Sequence, residues 1–225
     1  MTAAACGPEE NNAVLMPKLL KDVRLGMTLD ELKAVRTGIE DARDVEGADS
    51  YIERIPDSPF FHEAKYVFSG DRLALVKLSL STANYATIWR YRPRLIYGAL
   101  LKWGKISERQ VLTVHGLESS GPGAEAVPLQ HPLLVWKKQD AFVTVSYTPS
   151  KALDGKPWLE SVGPDATPEY FLSANILSAP WKNQWMFTDG KIEEAAEVEG
   201  STFLFFDVDQ ILAASAVALD GEPFE

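Results

Sequence analysis

The stretch Leu25-Gly26-Met27-Thr28-Leu29-Asp30-Glu31-Leu32-Lys33-Ala34-Val35-Arg36 decides how the rest of the chain is read, because several independent local rules agree on it. Thr28 and Glu31 stand three apart, so the Thr28 hydroxyl can accept from the Glu31 N–H while the Glu31 carboxylate accepts from the Thr28 N–H. That capping box starts a helix at Leu29. Met27 outside the helix and Leu32 one turn inside are placed as a hydrophobic staple, and Asp30 and Glu31 put negative charge at the positive end of the helix dipole. Leu29, Leu32 and Val35 recur at helical spacing and predict one buried stripe, with Gly38 after Thr37 as the stop.

A short helix with one apolar stripe needs a surface to cover, and the sequence supplies strands on its C-terminal side. Lys65–Phe68 and Leu73–Leu80 flank the turn Ser69-Gly70-Asp71-Arg72 and read as a hairpin. Lys77 and Ser79 alternate with Val76, Leu78 and Leu80, so one face is packed and the other wet. Tyr51, Ile52 and Ile55 sit in a Pro-broken segment that reads as a loop or edge element. Asn84 caps a second helix through Trp103, ended by Gly104, with Pro93 as a kink or its true start. Strand 110–115 and a second hairpin, Leu133–Trp136 and Ala141–Tyr147, follow. Phe68 and Trp136 are offset by 68 residues with the two turns in register, which reads as a weak internal repeat or as two ordinary α+β segments side by side.

Gly26-Met27-Thr28 followed by Glu31-Leu32 resembles the Gly-Met-Thr-x-x-(Glu/Gln)-(Val/Leu) signature shared by the outer-membrane assembly lipoprotein BamE (SmpA/OmlA family) and the β-lactamase inhibitor proteins. The likeness covers residues 19–80 by motif and 84–147 only by the order of elements; no second Gly-Met-Thr is present. It implies a short helix packed on a small antiparallel sheet, and a cell-envelope binding or assembly module with no chemistry of its own. Gly26, Met27, Thr28 and Glu31 are the structural signature.

The expected fold is therefore α+β: an antiparallel sheet with helices on one face, as two tandem helix–hairpin units or one extended sheet, plus a C-terminal extension. The expected divisions are a tail at 1–16, units at 17–82 and 83–150, and a linker with an α/β extension at 151–225. Within that last part Tyr170–Leu177, a strand at 184–187, an acidic helix at 192–198, a strand at 202–206 and an Ala-rich helix at 211–219 are expected.

A formal charge of −10 argues against nucleic-acid partners and anionic membrane surfaces, either of which needs a basic patch to replace counterions. Only Arg90, Arg92 and Arg94 cluster, and they read as the solvated face of a helix, with an anion site as the alternative. The single cysteine excludes an internal disulfide framework. Thr2-Ala3-Ala4-Ala5-Cys6-Gly7 before the polar run Pro8–Asn12 resembles the end of a bacterial lipoprotein signal, in which the cysteine becomes the lipidated first residue. Ala3 stands where leucine is usual, and no apolar segment precedes it here. Cys6 is thus the candidate lipidation site, opposed by an ordinary tail with a free thiol. Lipidation would anchor the chain to the outer membrane on its periplasmic side.

Thr202–Phe206 leading into Asp207-Val208-Asp209 looks like the first motif of haloacid-dehalogenase-type phosphotransferases, where the first Asp is a nucleophile and the second an acid/base. Gln210-Ile211 do not fit that motif, and only 16 residues follow Asp209. His62, His115 and His131 stand in no metal-ligating spacing, and no Gly-x-Ser-x-Gly elbow occurs. Ser119–Gly123 lacks the Lys-Ser/Thr of a phosphate loop, and Asp41, Asp44 and Glu46 do not reproduce a calcium loop. No catalytic residue, metal or cofactor is assigned. Trp89, Trp103 and Trp136 fall at apolar positions that suit the core, whereas Trp158, Trp181 and Trp185 lie in irregular sequence that suits exposed aromatics contacting a protein or glycan partner. The sequence points to a non-enzymatic envelope binding module. A cytoplasmic interaction or immunity-type protein, and a hydrolase built around His115 or His131, are the alternatives.

Overall fold

In a computed structural model of the chain, the described residues are 15–42, 49–58, 60–114, 129–152, 155–158, 170–179, 187–188, 191–197, 205–213 and 224. The protein is α+β and rests on one antiparallel sheet. A 3-10 helix (Lys18–Leu20) leads into α1 (Leu29–Val35), followed by β1 (Glu40–Asp41), β2 (Asp49–Arg54), β3 (Glu63–Ser69) and β4 (Arg72–Thr82). The long helix α2 (Tyr85–Trp103) crosses to β5 (Glu108–Val114), β6 (Leu129–Lys137) and β7 (Ala141–Tyr147). Then come β8 (Tyr170–Ser178), β9 (Phe187–Thr188), β10 (Lys191–Glu197) and α3 (Phe206–Ala213).

The strand order is β1-β2-β3-β4-β8-β7-β6-β5-β10-β9, so two meanders meet at the centre. β8 joins them, in register from Leu75↔Leu177 to Thr82↔Tyr170 on β4 and from Ala141↔Ser178 to Tyr147↔Leu172 on β7. Its sequence explains that place. A strand paired on both sides and covered on one face must be apolar along one side, and Leu172, Ala174 and Ile176 are all inaccessible. At the β3–β4 hairpin the turn is Gly70-Asp71, and Gly70 adopts φ +62°, which any side chain would oppose.

Alternation sorts the strand residues onto two faces. Val76, Leu78 and Leu80 on β4, Leu172, Ala174 and Ile176 on β8, and Val143, Val145 and Tyr147 on β7 share one core with Leu32 of α1, Ile88, Leu95, Ile96, Ala99 and Trp103 of α2, and Val208 of α3. The intervening positions carry two small apolar clusters, Val67, Leu75 and Leu177, and Leu112, Leu133 and Val135, with Phe142 packed against both. At about 1.5–3 kcal/mol for each fully buried large side chain, the core shared with the helices dominates.

Four local expectations change. α1 stops at Val35, ahead of the Gly38 stop, because Arg36 turns extended (φ −125°, ψ 131°) to reach the sheet, and Val35 is left 42% exposed. α2 is continuous through Pro93. The acidic segment expected as a helix at 192–198 is strand β10, held by pairing from Glu193↔Val114 to Glu197↔Gln110. Cross-strand pairing there overrides the helix preference of Glu and Ala. Phe206 opens α3 in place of ending a strand, while 202–204 and 214–219 lie outside the described residues.

Candidate functional site

The signature segment is a joint between helix and sheet. Gly26 takes φ +87°, which turns its N–H onto the Leu73 carbonyl at 2.8 Å, and the Leu73 N–H donates to Met27 O at 2.8 Å. Arg72 Nη1 adds a donor to Gly26 O at 3.1 Å. Met27 and Leu32 are then both buried, and the capping box closes in both directions: Thr28 N–H to Glu31 Oε2 at 2.8 Å, Glu31 N–H to Thr28 Oγ1 at 3.2 Å. The hydrogen bond from the Thr28 backbone, aided by Arg24 and Arg72, holds the Glu31 carboxyl below its ordinary range. Past the helix, Arg36 forks onto Glu53 (Nη2–Oε1 2.6 Å, Nε–Oε2 3.0 Å) and donates to Leu19 O at 3.2 Å. The inaccessible Tyr66 hydroxyl donates to Glu53 Oε2 at 2.7 Å, and burial, then that carboxylate, raise its pKa. Beside α1 an open groove of about 480 Å³ has Val23, Met27, Ala34 and Val35 along it, with Lys21 and Arg24 among its charged residues.

A second polar cluster fixes α3. Buried Arg92 of α2 meets Asp207 (Nη2–Oδ1 3.1 Å) and donates to Thr148 O at 3.2 Å, while Asp207 accepts from Ser150 N–H at 3.2 Å and Ser150 Oγ at 2.9 Å. Arg109 of β5 meets Asp209 at 2.8 Å. The Asp-x-Asp pair is therefore helical and held by two arginines, where the phosphotransferase motif needs both carboxylates at the end of a strand. Tyr147, buried beside this cluster, has its hydroxyl pKa pushed up by burial and then by Asp207; the hydroxyl has no hydrogen-bond partner among the described residues.

His131 is 2% accessible and packs against Phe171 (ring centroids 4.6 Å) and Trp158 (5.7 Å). Burial drives its pKa down to about 3, opposed only by a hydrogen bond with the Tyr147 backbone, and its Nδ1 has no partner among the described residues. It is a neutral imidazole enclosed by the core. His62 is exposed, and His115 lies outside the described residues. Among the described residues no three His, Cys, Asp or Glu side chains gather as metal ligands.

Tryptophan placement reverses two expectations. Trp158, expected as an exposed aromatic for a partner, is 2% accessible between His131 and Tyr170, because the Lys151↔Pro157 bridge folds its segment back. Trp89, expected in the core, is 56% exposed and stacks under the Arg92 guanidinium at 4.8 Å. Trp103 and Trp136 are buried, donating to Leu15 O and Gly104 O. Trp181, Trp185, Cys6, Asp44, Glu46 and 119–123 lie outside the described residues.

The strand positions that alternate with the main core carry a pattern not read as a unit in the sequence. Lys65, Lys77, Asn175 and Thr144 fall in one register row across β3, β4, β8 and β7, and Glu63, Ser79, Ser173 and Ser146 in the next. Asn175 Nδ2 donates to Thr144 Oγ1 at 3.1 Å, and Ser146 Oγ to Pro132 O at 2.9 Å. The signal was present as period-two alternation in each strand; only the register aligns the strands into a band. Comparison with known families, characterised proteins and solved structures returns no match.

Proposed function

We propose that this chain is a non-enzymatic binding or assembly module of the bacterial cell envelope, made of two tandem helix-plus-meander units whose helices lie on one face and whose opposite face takes a protein partner. One observation carries the reading: the two polar rows lie in register across the four central strands, including the β4–β8 junction of the meanders. Lys65, Thr144, Ser146, Ser173 and Asn175 of these rows are themselves buried, so a partner meets the band at half-exposed Glu63, Lys77 and Ser79 on β3 and β4. Among the described residues, His131 is enclosed in the core, and the Glu53, Asp207 and Asp209 carboxylates are each bound to an arginine. Cys6 supplies the membrane attachment in this reading, which places the module in the periplasm.

Affinity capture with the intact chain tests it. Lys77→Glu and Ser79→Arg should lose the captured partner at unchanged melting temperature; a partner retained by both removes the sheet face from the reading. For the anchor, the gene product expressed from its native locus should take up a fatty-acid label and lose it on Cys6→Ala. Label that survives the substitution, or never appears, removes the lipoprotein part.

A further inference from the structure

The chain is acidic as a whole, yet its charge is segregated. Residues 17–36 and 84–105, which contain the 3-10 helix, α1 and α2, carry ten Lys and Arg against three carboxylates (Asp22, Asp30 and Glu31), a formal +7 within a total of −10; the remainder therefore carries −17. Arg36 and Arg92 are turned inward to Glu53 and Asp207. The other eight cations stay outside the core, and none forms an ion pair among the described residues. α2 contains no carboxylate at all.

Three of the four large apolar side chains left outside are on the same elements. The large hydrophobics exposed among the described residues are Val35 of α1, Trp89 and Leu101 of α2, and Leu212 of α3. Along the outer side of α2, Arg90, Arg94, half-buried Tyr97 and Leu101 follow one another at helical spacing. Single apolar and aromatic side chains along this side are separated by cations. Such side chains have no shared pocket to enter on a protein, but each can dip separately between anionic headgroups while the cations bind them. A second copy would set cation against cation.

We propose that the helical side of the protein lies on an anionic phospholipid bilayer, with Trp89, Tyr97 and Leu101 entering the headgroup boundary and Arg90, Arg94 and Lys102 on the phosphates. This goes beyond the module reading and does not depend on lipid at Cys6. The acidic remainder is no obstacle, because charges more than about 8 Å from the bilayer are largely screened at physiological salt.

The test is sedimentation of the full chain, as Cys6→Ser, with phosphatidylcholine vesicles that contain either one-third phosphatidylglycerol or none. Binding should be at least tenfold tighter to the anionic vesicles and be lost in about 1 M salt, where the screening length falls to about 3 Å. Arg90→Glu with Arg94→Glu should weaken it a further tenfold or more, and Trp89→Ser with Leu101→Ser severalfold, all at unchanged melting temperature; Arg54→Glu, exposed on β2, should have no effect. Equal binding to both vesicles, no binding to either, or indifference to the α2 substitutions overturns the proposal. Binding to poly-L-glutamate without binding to vesicles also overturns it and assigns the ridge to an acidic protein. None of these outcomes bears on partner capture by the sheet face.

Discussion

Lowering the pH should unfold this protein partly through one residue, His131. Its imidazole is 2% accessible, faces the rings of Phe171 and Trp158, and has its pKa depressed to about 3 by burial. An unfolded chain protonates the same group near 6.5. The folded state therefore has its full advantage above pH 6.5 and loses it as the pH falls towards 3, because only the unfolded state takes up the proton in that interval. The loss approaches about 1.4 kcal/mol per pH unit and reaches about 2.7 kcal/mol at pH 4.5. Urea unfolding at intervals from pH 7.5 to 4.5 measures it, but carboxylates contribute to any acid slope. The informative quantity is the difference from His131→Phe, which keeps a ring of similar size and removes the unpartnered Nδ1. The variant should lie within roughly 1 kcal/mol of the parent at pH 7.5 and exceed it at pH 4.5 by about 2–4 kcal/mol. If parent and variant lose stability in parallel between pH 6.5 and 4.5, the imidazole is not held neutral and the burial argument fails.

Glu53→Ala leaves Arg36 and the inaccessible Tyr66 hydroxyl without their shared acceptor and should cost about 3–5 kcal/mol. Arg36→Met with Glu53→Leu should cost less than Glu53→Ala alone in the same denaturant titration. Thr28→Ala removes one arm of the capping box for about 0.5–2 kcal/mol, and Gly26→Ala should lower the melting temperature because φ +87° strains any side chain even though the space beside it is open. Trp89→Ala on the exposed side of α2 should change stability by less than about 0.5 kcal/mol, whereas Trp136→Ala in the core should cost about 3–5 kcal/mol by thermal melting.

What could be read from the sequence was what neighbours along the chain decide. The Thr28–Glu31 box, the Asn84 cap and Gly104 end of α2, and the Gly70-Asp71 hairpin each depend on a handful of adjacent residues, and each is found where the pattern puts it. Features set by distant partners were not legible. Val35 fits the α1 stripe by spacing, yet the helix ends there because Arg36 finds Glu53 seventeen positions on. β10 carries residues that favour a helix and becomes a strand only because β5 offers an edge. Trp89 and Trp158 were misplaced for a related reason: aromatic size says that burial is worthwhile, but which side of a helix faces the sheet, and whether an irregular segment folds back, are decided by contacts elsewhere.

The ionic contacts show how those distant decisions are made unique. Arg36–Glu53 ties the end of α1 to β2, Arg92–Asp207 ties α2 to α3, and Arg109–Asp209 ties β5 to the same short helix. None of these pairs is expected to add much net stability, since removing partly buried charges from water costs nearly what their attraction returns. Their effect is selective. A helix laid on the sheet one turn out of register would keep most of its apolar contacts but strand a guanidinium or a carboxylate without its partner, at several kcal/mol. Apolar burial thus brings the helices onto the sheet, and three arginines choose the position. The same choice turns the free cations and Trp89 of α2 outward, so the arrangement that fixes the core also determines which surface is left for binding.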